Sequence, residues 1–199
     1  MSETTTMFEA TERAQLLELA RCSIARGIGR HAPVSVPGRA WPPRLLEPRA
    51  TFTTLTLGGQ LRGCCGSIEP RRPLIDDVWH NAWTSAYADP RFEPLTAWEL
   101  HALEITVSVL SPLEPIAAGS DAELIASLRP GVDGLLICCG NACATFLPAV
   151  WRELPEPSDF LAQLKLKAGL SSARFSPRMR AFRYRTESFH SNDGRRLAA

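Results

Sequence analysis

Thr51-Phe52-Thr53-Thr54-Leu55-Thr56-Leu57-Gly58-Gly59, followed at once by Gln60-Leu61-Arg62-Gly63-Cys64-Cys65-Gly66, is the stretch whose reading sets the fold. β-Branched and apolar residues fill the first seven positions and predict a strand. Gly58-Gly59 predicts a tight hairpin turn, because both glycines accept positive φ. The chain therefore runs up one strand, reverses, and presents an arginine and a thiol on a turn framed by Gly63 and Gly66. Those two glycines allow a sharp bend or the close approach of another group. Arg62 stands two residues from Cys64, a cation of the kind that favours thiolate over thiol. A thiol so placed is either a nucleophile or ligand, or a small apolar residue filling space. The residues alone leave both open.

Outward from the hairpin, the N-terminal side reads as an amphipathic helix over 8–28, with Leu16, Ala20, Ile24 and Ile28 at four-residue intervals and a threonine such as Thr11 as its cap. Five prolines between Arg30 and Pro48 predict ordered loop, with Trp41 pinning it to the core. A second helix is expected over Leu74–Ala88, ending at Asp89-Pro90 because the residue before proline disfavours helical ψ. Trp79, Trp83 and Trp98 read as core. Thr96 and Glu99 have capping-box spacing. Period-two alternation predicts a strand over Leu103–Leu110. Ser120 with Glu123 opens a helix to Leu128. Gly134–Cys139 and Ala142–Phe146 flank Gly140-Asn141 as another hairpin, Ser158 caps a helix to Ala168, and Met179–Phe189 is a final strand. Hairpins with helices inserted between them predict an α+β fold built on an antiparallel sheet with flanking helices, in two unequal lobes of one domain over 8–190. Residues 1–7 and 191–199 read as polar tails.

Composition narrows the function classes. A chain of 199 residues buries about 70% of its unfolded surface and needs no disulfides for a core. The net charge of +1 supplies no electrostatic footprint for nucleic acid or an anionic membrane. No secretory signal is visible, and no apolar run approaches the ~18 residues of a membrane span. The expectation is a cytoplasmic protein whose six cysteines are reduced thiols. Cys64-Cys65 and Cys138-Cys139 are vicinal and lack the C-x-x-C spacing of zinc or redox sites; no metal or cofactor is expected, with a metal site assembled from Cys64, Cys139, Cys143 and His80 as the lesser alternative. No G-x-G-x-x-G or Walker sequence points to a mononucleotide fold.

Several separated motifs then point to one family. Leu61-Arg62-Gly63-Cys64, Asp89-Pro90-Arg91-Phe92-Glu93-Pro94-Leu95 and Leu103–Pro112 occur in order. They are followed by Gly131-Val132-Asp133-Gly134-Leu135, Thr145–Trp151 and Leu164-Lys165-Leu166-Lys167-Ala168-Gly169-Leu170. Together they resemble the AMMECR domain over residues 8–190. Prokaryotic members are called AmmeMemoRadiSam system protein A, after companions of the Memo and radical-SAM types. The resemblance implies an α+β fold of two lobes and a functional site at the Leu-Arg-Gly-Cys element. It implies no settled reaction, so whether the chain is an enzyme stays open. Cys65 stands where isoleucine is common in the family, which marks it as a core substitute.

The candidate site is thus Cys64 with Arg62 as catalytic pair and Gly63, Gly66, His80, Asp89, Arg91 and Thr145 as substrate-binding residues. Arg62 can lower the thiol pKa or hold an anionic group bidentately, or form a structural salt bridge. His80 is a candidate base for Cys64 or a hydrogen-bonded structural histidine. Asp89 and Arg91 close the same cavity or fix their own loop. Thr145 binds a ligand or is an ordinary strand residue. Two functions follow: a thiol enzyme acting on an anionic or carbonyl small molecule, or a non-catalytic partner of radical-SAM and Memo-type proteins.

Overall fold

In the computed structural model, which describes residues 7–33, 35–172 and 174–191, the elements run α1 (Ala10–Gly27), β1 (Thr51–Leu57), β2 (Gln60–Gly66), α2 (Leu74–Tyr87), β3 (Leu103–Leu110), β4 (Glu114–Ile116), α3 (Asp121–Ala126), β5 (Gly134–Cys139), β6 (Ala142–Phe146), α4 (Pro157–Lys167), β7 (Arg180–Tyr184) and β8 (Thr186–His190). The predicted α+β class holds, with one difference. The strands form two antiparallel sheets, ordered β2-β1-β3-β8 and β4-β7-β5-β6. The chain divides accordingly into two units, one running to Leu110 and resuming at Glu187, the other spanning Ser111–Thr186. The expected tails, apart from Met7 and Ser191, lie outside the described residues.

In the first unit β1 and β2 are the predicted hairpin, and Gly58 and Gly59 carry φ of 57° and 79° at its turn. This left-handed pair matches the strand twist and would strain any other residue. Alternate residues of β1 and β3 point to one face: Thr51, Thr53 and Leu55 with Leu103, Ile105, Val107 and Val109, all buried. Both helices cover that face, burying Leu16, Ala20 and Ile24 of α1 and Val78, Trp79 and Ala82 of α2 in the same core. At about 1.5–3 kcal/mol per fully buried large aliphatic side chain, this face supplies much of the unit's cohesion. The other face of the sheet carries Phe52, Thr54 and Thr56, only partly buried.

The second unit packs α3 and α4 around Leu135, Ile137, Trp151, Phe160 and Leu164. Trp151 and Phe160 stack with centroids 3.8 Å apart. Buried Asp133 accepts from the Arg129 backbone and guanidinium, closing the turn that leads into β5.

Several expectations are corrected. Leu61–Gly66 is a strand, not a turn. The helix caps are Glu9 and Glu156 rather than Thr11 and Ser158; the Glu12 carboxylate accepts from the Glu9 N–H at 2.9 Å. The single strand read over Met179–Phe189 is β7 and β8, which belong to different sheets. Trp98 is not core but 86% exposed. The six cysteines are not all thiols: Cys138 is disulfide-bonded to Cys143. These two face each other directly across the β5–β6 hairpin, a register that brings the sulfurs together, and a search for C-x-x-C spacing misses it. Cys22, Cys64, Cys65 and Cys139 are free. No helix among the described residues is long and apolar enough to cross a membrane.

Candidate functional site

The register of the first hairpin decides which way Cys64 points. From the turn, Leu57 pairs with Gln60 and Thr56 with Leu61, as a two-residue loop dictates. The pairing then slips: Leu55 faces Gly63 and Thr54 faces Cys64, leaving Arg62 as the extra residue of a β-bulge. Without the slip Cys64 would oppose Thr53 and face the buried side. With it, Cys64 opposes Thr54 and lies on the open face. One inserted residue reverses the facing of everything after it.

Two neighbours then clamp the strand around the thiol. From the helix side, the Ser85 hydroxyl accepts from the Cys65 N–H at 2.8 Å and donates to the Thr53 carbonyl at 2.8 Å. A Cβ on Gly63 would sit 2.1 Å from the Ser85 carbonyl oxygen, so only glycine lets α2 come this close. From the outer edge, the loop after α2 takes the place of a further strand. The Asp89 carboxylate accepts from the Cys64 N–H at 2.9 Å, and Arg91 Nη2 donates to the Cys64 carbonyl at 3.2 Å. Arg91 also grips Asp89 bidentately, at 3.0 and 2.7 Å. β2 is an edge strand, and this ion pair satisfies edge groups that would otherwise invite another chain. The Arg91 hydrogen bonds, with those from the Cys64 and Arg91 backbones, hold the Asp89 carboxyl well below the usual carboxylate range.

Cys64 itself is half-buried, its sulfur 3.3 Å from the Thr54 hydroxyl. Arg62 does not offer its charge to a substrate. Its Nε and Nη2 meet Glu99 at 2.6 and 3.2 Å, and its Nη1 donates to the Glu93 carbonyl at 2.9 Å. That pairing, helped by donation from the Thr96 backbone and hydroxyl, lowers the Glu99 carboxyl to about 2. Arg62 and Arg91 flank the Phe92 ring, their guanidinium carbons 6.0 and 5.5 Å from its centroid. Cys65 faces the helix side, and burial, with the Asp89 charge, pushes its thiol up; it is half-buried and outside the core cluster, not the core substitute expected there.

The structure thus brings Arg62, Gly63, Cys64, Asp89 and Arg91 together. Gly66 ends the same strand, against the Phe52 ring. His80 rides on α2, on the opposite face of the sheet from the Cys64 thiol. Burial and the Arg72 charge push its imidazole down, against a weaker pull from Asp77. Thr145 belongs to the second unit, buried, with its hydroxyl engaged by Tyr184 and the Leu135 carbonyl. No cluster of three metal-ligating side chains exists among the described residues.

Three groups were missed as site residues. Thr54 contacts the thiol, but only the bulged register reveals it. Glu99 was visible as a capping-box residue, yet it also neutralises Arg62. Asp77, fully buried, accepts at Oδ2 from the Thr51 N–H and hydroxyl and from Ser67 and Asn81, tying β1, the exit of β2 and α2 into one unit. Along the sequence it is only an acidic residue in the first turn of a helix, where the helix dipole alone accounts for it.

A family model for AMMECR1 matches residues 17–189, nearly the whole described chain. The chain belongs to the AMMECR1 family. A relative from Methanothermobacter thermautotrophicus is 36% identical over 181 residues, covering 90% of this chain and 94% of its own. Another, from Thermofilum pendens, is 37% identical over 172 residues, covering 81% and 80%. The crystal structure of the uncharacterized protein PH0010 from Pyrococcus horikoshii is similar with a TM-score of 0.83 at 30% identity, covering 92% of this chain and 93% of that one. The AMMECR1 match spans the Leu-Arg-Gly-Cys strand, the Asp89–Leu95 loop and both units.

Proposed function

We propose that this AMMECR1-family chain handles a small carbonyl compound through the Cys64 thiol. The observation that carries the reading is the bulge at Arg62, which turns Cys64 from the core to the open face of a strand clamped on both sides. Bulges beside reactive groups commonly re-aim a side chain in this way. Arg62 is a positioning residue: its pairing with Glu99 holds the bulge. The step is addition. A bond forms between sulfur and the carbonyl carbon, the carbonyl π bond breaks toward oxygen, and the proton lost from the thiol ends on that oxygen by way of solvent. The test is iodoacetamide labelling at neutral pH, followed by intact-mass screening of aldehydes and ketones against wild type and Cys64→Ser. Cys64 should label and carry the adduct. No labelling at Cys64, or an adduct that persists in Cys64→Ser, defeats the reading.

A second reading, a non-catalytic partner of radical-SAM or Memo-type proteins, is favoured by Trp98. This side chain stands 86% exposed beside Glu99, with Leu61 44% exposed beside Arg62. Tryptophan and arginine dominate the energetic centres of protein interfaces. Co-purification with such proteins at micromolar concentration, lost in Trp98→Ala, would support it. No complex with the unsubstituted chain would count against it.

A further inference from the structure

We propose a second ligand site in the first unit, a small cavity between α1 and the proline-rich segment that takes a small aromatic monocarboxylate. The cavity holds about 170 Å³. At roughly 30 Å³ per water that is room for about five or six waters, or for a molecule of roughly nine non-hydrogen atoms. Its walls are apolar: Leu19 and Cys22 of α1 on one side, Pro37 and Trp41 on the other. Such a lining with a few charged groups at its rim is the usual make-up of a small-molecule site.

The rim decides the sign of the ligand. Arg26, Arg39 and Glu18 border the cavity, one positive charge in excess. The Arg39 guanidinium lies 3.8 Å over the Trp41 ring, which fixes it in place. Its only ion pair among the described residues is with Glu18 at 4.0 Å, a loose contact between two exposed side chains that contributes little. Arg26, in the last turn of α1, has no ion-pair partner among the described residues. Two guanidinium groups over an apolar slot suit a planar acid, with the ring between Trp41 and Leu19 and the carboxylate at the arginines. The segment that supplies Pro37, Arg39 and Trp41 lies between α1 and β1, a connection longer than a passive loop needs. The site stands apart from Cys64, since α1 packs on the helix-covered side of the sheet.

Cys22, in the cavity wall, is the reporter. The probe is benzoate, with benzamide as its neutral isostere, and Cys22 alkylation by iodoacetamide in the full chain is followed by peptide mass spectrometry. For about nine non-hydrogen atoms a Kd on the order of 1 mM is expected. About 10 mM benzoate should then slow Cys22 labelling about tenfold, leave Cys139 unaffected, and be matched by benzamide less than about twofold. Arg26→Ala removes an exposed side chain, so it should keep the wild-type melting temperature and lose the protection. No slowing by benzoate overturns the site. Equal slowing by benzamide, or full protection in Arg26→Ala, overturns its choice of an anion.

Discussion

Replacing Asp89 with asparagine should destabilise the first unit by about 2–3 kcal/mol at neutral pH. The carboxylate is 4% exposed and receives two hydrogen bonds on each oxygen: Arg91 N–H and Nε on Oδ1, Cys64 N–H and Arg91 Nη2 on Oδ2. An amide keeps only one acceptor oxygen, so two of those bonds fail whichever way it turns. A hydrogen bond to a charged group is worth about 1.5–3 kcal/mol. Arg91 is more than half exposed and recovers part of its loss from water, so its share is discounted. At about 2–4 °C per kcal/mol for a chain of this size, the melting temperature should fall by about 5–10 °C. Tryptophan fluorescence reads the event, because Trp41, Trp79, Trp83 and Trp98 lie in the first unit and Trp151 in the second. The effect has a pH signature. Asp89 has a depressed carboxyl pKa in the folded chain, so its contribution is complete above the unfolded value near 4 and fades as pH falls toward the folded one. The difference between wild type and Asp89→Asn should therefore shrink by about 1 kcal/mol between pH 7 and pH 3. A variant within about 0.5 kcal/mol of wild type, or a difference that ignores pH, would refute the claim that this carboxylate anchors the Cys64 strand.

Three further outcomes follow from the same geometry. Gly63→Ala places a methyl 2.1 Å from the Ser85 carbonyl oxygen; it should cost about 1–3 kcal/mol in urea unfolding and raise Cys65 alkylation as α2 lifts away. Glu99→Gln should leave a flatter acid limb in a pH titration of stability, because Glu99, lowered to about 2 by Arg62, stabilises above its ordinary pKa and loses that contribution as pH falls toward 2. Asp77→Ala leaves the Thr51, Ser67 and Asn81 donors without their shared acceptor, which should cost about 3–5 kcal/mol by thermal melt.

What the amino-acid sequence determined by itself was local. β1, β3, β5 and β6 stand where alternation, β-branched residues and glycine turns put them, because strand period and turn chemistry act over a few neighbouring residues. α2 stops where Asp89-Pro90 stops it, since the proline ring constrains only the residue before it. The motif residues from Arg62 to Arg91 were legible as a group through their resemblance to a family, although their contacts were not.

The tertiary structure decided what those residues do. Whether Cys64 faces core or open surface turns on a one-residue slip at Arg62, and the partner of that arginine is Glu99, thirty-seven positions away. Long-range pairing also split one predicted strand between two sheets and set Cys138 against Cys143. It left Trp98 in solvent and gave Arg62 a carboxylate of its own. The physical reason is common to all of these. Facing, pairing and charge compensation depend on which distant groups arrive at the same place, and a pattern read along the chain holds no term for that.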